Sequence, residues 1–515
     1  MEVDYVVVGA GSAGAALAAR LSEDTAAQVV LLEAGGPDAR QEIRVPAAFP
    51  KLFKTPYDWD FTTAPQAALD GRELYWPRGR ILGGSSSMNA MMWVRGHRED
   101  YDGWGVPGWS YDDVLPYFRR LEGRVGGNAG AVYGTGGPQT VSEQRDPNET
   151  TRAFLAACAA RGIRRLPELN GPSNEGCALT PVTQRRGRRW STADAYLRPA
   201  RRRPNLRVVT GAHVSRVVIE DGRATGVEYG GRIVRARREV VLAAGAVGSP
   251  HLLMLSGVGD PDGLRAAGVE PVAALPGVGR NLRDHLAIMV LRHATRPVTL
   301  TGADTLPNIA RYLLARRGPL TSNVGEAVVF AKSDPALPAP DLELIFAPVP
   351  FVAHGLTPPT EHGLTVGVVL LRPESAGTIA LAPADPAGAP VIDPGYLTAG
   401  ADLPRLLHGI ALAEELLATE PLARHAGAPL APYDGTADPD RLAAYVRANC
   451  ETLYHPVGTC RMGTGDDAVV DPELRVRGVA GLRVADASVL PEIIRGHTNA
   501  PAIMVGERAA DLIRG

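Results

Sequence analysis

Apolar and polar positions along this chain fall into runs with distinct periods. Residues 3–8 form a short, unbroken run rich in β-branched side chains, the pattern of a parallel strand buried on both faces. Gly9, Gly11 and Gly14 then turn the chain into a helix of small residues that runs through Arg20. A second apolar run at 29–32 ends in Glu33. Between 206 and 241, the stretches LRVVTGAHVSRVVIE and ATGVEYGG alternate, which predicts antiparallel hairpins. Residues 238–259 repeat the order strand, Gly turn, helix. From 291 to about 450 the strands are bounded by prolines and no nucleotide-like turn occurs, which predicts a separate substrate domain. The last 60 or so residues return to a strand (482–491) and an amphipathic C-terminal helix.

These elements predict an α/β fold. A discontinuous, Rossmann-like dinucleotide domain takes residues 1–160, 190–290 and 465–515. A second, α+β substrate domain with an antiparallel sheet takes 161–189 and 291–464. The loop-rich stretch 46–79, with many aromatics and prolines, is expected to cover a cofactor or form a lid.

The opening unit carries chemistry. Its glycines let the backbone approach a pyrophosphate, whose charge sits on the helix N-terminus. Glu33 follows them by about 20 residues, where an acid accepts hydrogen bonds from ribose hydroxyls and disfavours a 2′-phosphate. A GxGxxG turn in this order of strand, helix, strand and acid serves NAD and FAD alike. Ala34 and the glycines after it let the chain leave the ribose without bulk.

Composition narrows the picture. A chain of 515 residues implies two or three structural units. The formal net charge of −2 gives no global pull toward nucleic acid or an anionic membrane. The arginine clusters at 185–189 and 198–204 lack a nucleic-acid site's interleaved aromatics and read as solvated surface. The four cysteines show neither metal-ligand spacing nor a disulfide framework. Cys158, Cys177 and Cys460 read as packing residues in a reducing cytoplasm. Residues 6–19 are apolar, but Glu2 and Asp4 stand where a signal peptide would be positive. No run of about 18 apolar residues predicts a membrane span. A cytoplasmic protein without nucleic-acid or metal partners is expected.

A second anion-friendly turn lies at 79–89, where Gly83 and Gly84 precede three serines at what reads as the start of a helix. Ser85 or Ser86 can add a hydroxyl to a phosphate there. The run Gly79-Arg80-Ile81-Leu82-Gly83-Gly84-Ser85-Ser86-Ser87-Met88-Asn89 resembles the first signature of the glucose–methanol–choline (GMC) oxidoreductases. Gly245-Ala246-Val247-Gly248-Ser249-Pro250, followed by Ser256-Gly257-Val258-Gly259, resembles their second. With the fingerprint and the C-terminal motifs, the resemblance covers nearly the whole chain and suggests a choline dehydrogenase-like or alcohol oxidase-like member.

The resemblance implies FAD, with hydride passing from an alcohol carbon to flavin N5. It places Gly9, Gly11, Ser12, Ala13 and Gly14 at the pyrophosphate and Glu33 and Ala34 at the adenosine ribose. It places Val214 at the adenine, and Asp486 and Ala487 at the pyrophosphate and ribityl chain. Arg80, Gly83, Gly84, Ser85, Asn89, Ala90, Met91, Met92, Asn499 and Pro501 complete the implied cofactor contacts. Some members attach FAD through a histidine where this chain has Met88, so non-covalent FAD is implied.

Alcohol oxidation needs a base for the hydroxyl proton and a group that holds the developing alkoxide. His455, in LYHPVGTCRMG, resembles the family's base, and Asn499, in GHTNAPAIMVGE, its partner. His497 is a lesser candidate for the same task, because on an extended segment it would share a face with Asn499. Leu453 is expected near the flavin edge, where access governs whether oxygen or another acceptor reoxidises the flavin.

The substrate is read as a primary alcohol with an aliphatic or aryl body, from the apolar stretch 341–371. Choline would need an aromatic cage. Tyr312, Phe330, Phe346, Phe351 and Tyr454 are the aromatics available for one, and Glu326 reads as a surface carboxylate rather than a cation partner. Lyase or light-driven decarboxylase chemistry on the same fold is the alternative reading, and the intact His455/Asn499 pair argues against it. The oligomeric state is left open.

Overall fold

The computed structural model describes residues 1–126, 132–382 and 388–515. The expected opening unit forms a strand Glu2–Val8, a helix Ser12–Leu21 and a strand Val29–Glu33. Glu2–Val8 lies inside a seven-stranded sheet ordered Leu206–Thr210, Val29–Glu33, Glu2–Val8, Arg232–Leu242, Arg223–Tyr229, Val214–Glu220. Leu482–Val484 pairs in parallel with the far end of Arg232–Leu242. That long strand therefore serves two roles. Residues 232–235 pair antiparallel with Arg223–Tyr229, and residues 235–242 run parallel to Glu2–Val8.

One expected hairpin is absent. Leu206–Thr210 does not fold back on Val214–Glu220; it extends the parallel sheet beside Val29–Glu33. Alternation marks a half-buried strand but not its partner, and an edge strand of a parallel sheet alternates as well as a hairpin arm.

Close packing at the fingerprint depends on glycine. A Cβ on Gly14 would lie 2.0 Å from the Gly9 carbonyl oxygen. The C-terminal helix Asn499–Arg514 packs across Ser12–Leu21, and a Cβ on Gly506 would lie 2.3 Å from the Ala13 carbonyl oxygen. Buried Glu507 ties the two helices together by accepting from Arg20 Nε (2.9 Å), Arg120 Nε (2.9 Å) and Tyr196 Oη (2.7 Å). The two ends of the chain thus build one side of the same site.

The second sheet is antiparallel, in the order Ala426–Pro429, Leu286–Ala294, Gly363–Leu370, Leu342–Ala347, Ala327–Ala331, Gly176–Leu179. Every residue of Gly363–Leu370 is buried, because both faces of this sheet are covered. Helix Asp402–Leu417 lies on one face, so close that a Cβ on Gly409 would be 2.4 Å from Val368 Cγ1. The other face turns toward the first sheet, and its period-2 positions Ala287, Met289, Ile345, Ala347, Thr365, Gly367 and Val369 line a cavity between the sheets. Among the described residues no helix is long and apolar enough to cross a membrane.

Candidate active site

A single cavity of about 550 Å³ runs from the N-terminal fingerprint to the second sheet. Gly9, Gly11, Ser12, Ala13, Glu33, Ala34, Arg80, Gly84, Ser85, Asn89, Ala90, Met91, Met92, Val214, Asp486, Ala487, His455 and Asn499 all line it. Gly14, Gly83 and Pro501 do not. Gly14 serves helix–strand packing, Gly83 has φ +86° in the turn itself, and Pro501 is buried in the first turn of the C-terminal helix.

The nucleotide half is built from helix ends. Helices Ser12–Leu21 and Asn499–Arg514 begin on the cavity without a side-chain cap, leaving first-turn amides for an anion, whereas the first amide of helix Gly245–Leu255 donates to Asp486 Oδ2 (2.8 Å). A Cβ on Gly11 would meet nothing nearer than Gly84 Cα at 4.0 Å, so the backbone leaves an open cradle there. Glu33 sits at the end of its strand, with its oxygens held by the amides of Ala10 and Gly35 (2.8 Å each). Burial pushes its carboxyl up to about 7. Arg80 lies 4.9 Å over Trp59, which stacks on Phe61 at 5.7 Å, so the loop 46–79 supplies an aromatic wall here.

The serine-rich turn differs from expectation. Gly84–Ser87 is one turn of 3-10 helix rather than the start of an α-helix. Ser85 faces the cavity, whereas Ser86 and Ser87 turn away and donate to the carbonyls of Gly83 (2.6 Å) and Leu82 (2.7 Å). Arg189, read as solvated, is buried. It donates to the Ile43 carbonyl (2.9 Å) and to Asn89 Oδ1 (2.8 Å), and so fixes the turn that carries Asn89.

The other half of the cavity ends on histidines. The His455 amide donates to Asp284 Oδ1 (2.7 Å), and Asp284 is also held by Thr452 Oγ1 (2.6 Å) and by Tyr396. Asp284 thereby fixes the backbone of the 452–455 turn. His455 Nδ1 lies 2.9 Å from His285 Nδ1, and His285 Nε2 lies 3.1 Å from the Leu371 carbonyl. A carbonyl only accepts, so His285 carries its proton on Nε2 and offers the Nδ1 lone pair. Burial and the neighbouring His497 bring the His285 pKa down to about 3, so this ring is neutral. His455 must then donate from Nδ1, which leaves its Nε2 as a free lone pair. Burial, His497 and His285 likewise hold His455 well below the usual histidine range.

The ring beside His455 is that of His497, and both His497 and Asn499 line the cavity. The helix begins at Asn499, so the segment is not extended there, and the two residues no longer share a face. Asn499 Oδ1 accepts from Ser12 Oγ (2.7 Å) on the fingerprint side, while the His497 ring packs edge-on against His455 at 4.9 Å. His497 Nε2 lies 3.0 Å from Oε1 of Glu343, a fully buried carboxylate whose Oε2 has no protein partner. Sequence reasoning missed His285, Glu343 and Arg78. For His285 a signal existed in the Asp-His pair of NLRDHLA, just where a strand begins; Glu343 reads as an ordinary strand residue.

Glu326 is also misplaced by the sequence reading. It is buried, accepting from Ser322 Oγ (2.6 Å), Thr151 Oγ1 (2.6 Å) and the Asn148 amide (2.7 Å), and it does not reach the cavity. Of the five aromatics considered, Phe351 and Tyr454 line the cavity; Tyr312, Phe330 and Phe346 pack elsewhere. Leu453 and Met88 also line it, and all four cysteines are buried and free.

Fold and site together are those of an oxidoreductase with a dinucleotide cavity. The N-terminal and C-terminal GMC oxidoreductase family models match residues 3–287 and 373–506, and the chain belongs to that family. It is 53% identical over 524 residues to an uncharacterised GMC-type oxidoreductase of Mycobacterium tuberculosis, covering 99% of each chain. It is 42% identical over 530 residues to an oxygen-dependent choline dehydrogenase of Brucella ovis, covering 100% of this chain and 96% of that one. The crystal structure of pyridoxine 4-oxidase from Mesorbium loti superposes with a TM-score of 0.90 at 34% identity, covering 99% and 98% of the two chains.

Proposed function

We propose that the protein oxidises neutral alcohols with an apolar body, primary alcohols to aldehydes, at the His455 end of the cavity. The cofactor is FAD. The uncapped helix ends, the open cradle over Gly11 and the Glu33 carboxylate fit its pyrophosphate and ribose. Bound FAD supplies the acceptor for the hydride that leaves the carbinol carbon, and oxygen or another acceptor takes the electrons onward. Met88 offers a thioether, which cannot form the histidyl attachment known in the family, so the flavin is held non-covalently.

His455 Nε2 takes the hydroxyl proton as the C–H bond breaks, while its Nδ1–H stays on His285. His497 holds its Nε2 proton on Glu343 and turns its other ring nitrogen to the developing alkoxide. Donating at both ring nitrogens requires His497 as an imidazolium, with the buried Glu343 carboxylate as its counter-charge. The two rings thus divide the labour: His455 accepts the proton, and His497 donates to the alkoxide. Asn499, bonded to Ser12, is assigned to the cofactor's phosphate end rather than to the alcohol.

The observation that carries the substrate class is the charge on the wall. The acids lining the cavity are Glu33 and Asp486, both in the nucleotide half. The His455 end has apolar and aromatic side chains and one guanidinium, Arg78, whose Nε donates to the Pro77 carbonyl (2.6 Å) and Nη2 to the Tyr454 carbonyl (2.6 Å). A quaternary ammonium would lose its hydration there without a carboxylate in return.

Steady-state turnover of benzylic and aliphatic primary alcohols against choline, with an artificial acceptor and with oxygen, tests the reading. Neutral alcohols are expected to lead in kcat/KM by about tenfold or more. Choline equal to the best neutral alcohol would refute the substrate class. Acid precipitation should leave yellow FAD in the supernatant; flavin retained in the pellet would refute non-covalent binding.

A further inference from the structure

Helix Leu306–Ala315 is turned inside out. Leu306, Leu313 and Leu314 are 82%, 60% and 89% exposed, and they are the exposed leucines among the described residues. Positions 306, 310, 313 and 314 share one helical face, and Ala310 is exposed with them. The opposite face is pinned to the protein by buried Tyr312, whose hydroxyl donates to the Arg44 carbonyl (3.2 Å). A contiguous apolar stripe left in solvent marks a contact surface.

The surroundings of the stripe are basic. Arg311, Arg316 and Arg317 lie on or just after the helix, and Arg316 rests on Tyr312 at 4.8 Å. The hairpin carrying Arg185, Arg186 and Arg188 abuts the helix end: a Cβ on Gly187 would lie 2.6 Å from the Arg316 carbonyl oxygen. Against these six arginines stand Asp146, which pairs with Arg317 at 2.8 Å, and Asp304. A chain with a formal net charge of −2 therefore carries a concentrated positive patch around its exposed leucines.

We infer that this helix seats the enzyme on the surface of an anionic lipid bilayer. The leucines enter the boundary between headgroups and acyl chains, and the arginines, with long stems and terminal charge, meet the lipid phosphates. Ten residues span about 15 Å, so the helix lies in the plane of the membrane rather than across it. A symmetric second copy is the poorer occupant, because an isologous contact would bring two sets of six arginines face to face. The location also suits the chemistry. Residues 316–322 lead from the helix directly to Asn323 and Val324 on the cavity wall, and Arg44, which holds Tyr312, leads to Phe49 on the same wall. An apolar alcohol dissolved in the bilayer would thus be concentrated beside the site. That last link rests on the proposed substrate class; the membrane contact does not.

Co-sedimentation of the FAD-loaded protein with vesicles tests the contact. Phosphatidylcholine vesicles containing phosphatidylglycerol should retain at least about tenfold more protein than phosphatidylcholine alone, and salt should weaken the retention. L313S/L314S and R185Q/R186Q/R311Q should each lose it while keeping the flavin spectrum and wild-type turnover of a water-soluble benzylic alcohol. No retention at low salt, or equal retention of the leucine variant, would overturn the inference. So would a concentration-dependent dimer that L313S/L314S dissolves. Turnover is read separately, so failure of the catalytic proposal is distinguishable from failure of the membrane contact.

Discussion

His455→Ala is expected to lower kcat/KM for a neutral alcohol by about 10³-fold, or ~4 kcal/mol of transition-state stabilisation, with the flavin spectrum retained. The size follows from the site. His455 Nε2 is the free nitrogen of a ring whose other nitrogen is committed to His285, and His285 is in turn fixed by the Leu371 carbonyl. The pH dependence follows with a definite sign. The base must be neutral to work, and its environment holds its pKa well below 6.5. Activity should therefore persist as pH falls through 6.5, and the acid limb of kcat/KM should lie below that value. An acid limb at or above 6.5 would show that His455 is not the titrating base. Wild-type kcat/KM in the alanine variant would remove it from the chemistry altogether.

His497→Ala should cost about 10²-fold, the usual loss of a donor aimed at a developing oxyanion. It should also move the acid limb to higher pH. The charge on His497 is among the causes that depress His455, so removing it lets the His455 pKa rise. Asn499→Ala should behave differently, weakening FAD retention through loss of the Ser12 contact while leaving the pH profile in place. Were Asn499→Ala to reproduce the His497→Ala profile, the assignment of the two residues would be reversed. Glu343→Gln distinguishes orientation from charge. It keeps a hydrogen-bond acceptor for His497 Nε2 but removes the negative charge, so the loss should approach that of His497→Ala if charge is what Glu343 contributes.

The parts legible in the sequence were those governed by local rules. The strand, glycine turn and helix at 2–21 are dictated by burial period and by the lack of space for a Cβ at Gly14, and both can be read from neighbouring residues. The apolar stretch 341–371 puts alternate residues on the cavity for the same reason, since a strand has period 2 wherever it lies. What escaped was set by contacts between distant segments. Leu206–Thr210 carries a strand pattern, but its partner is 177 positions away, Val29 facing Leu206. Glu326 and Arg189 look like surface charges until Thr151, Ser322 and Asn148, or Ile43 and Asn89, are brought around them. Asn499 and His497 stand two residues apart in the sequence, and only the fold puts the His497 ring against His455 and the Asn499 side chain on Ser12.

A shared fold and shared signatures define the hydride chemistry, while the wall around His455 decides which alcohol reaches it. In this chain that wall carries Arg78 and aromatic rings, and the buried carboxylates Asp284 and Glu343 are already committed to the His455 amide and to His497.

The most direct test is anaerobic single-turnover reduction of the bound flavin by a benzylic alcohol, followed at the flavin's visible band. The alcohol is used with hydrogen and with deuterium on the carbinol carbon. The account predicts bleaching without any added acceptor, slowed several-fold by deuterium and nearly abolished in His455→Ala. A flavin that no neutral alcohol bleaches, or that bleaches at the same rate in His455→Ala, would contradict it.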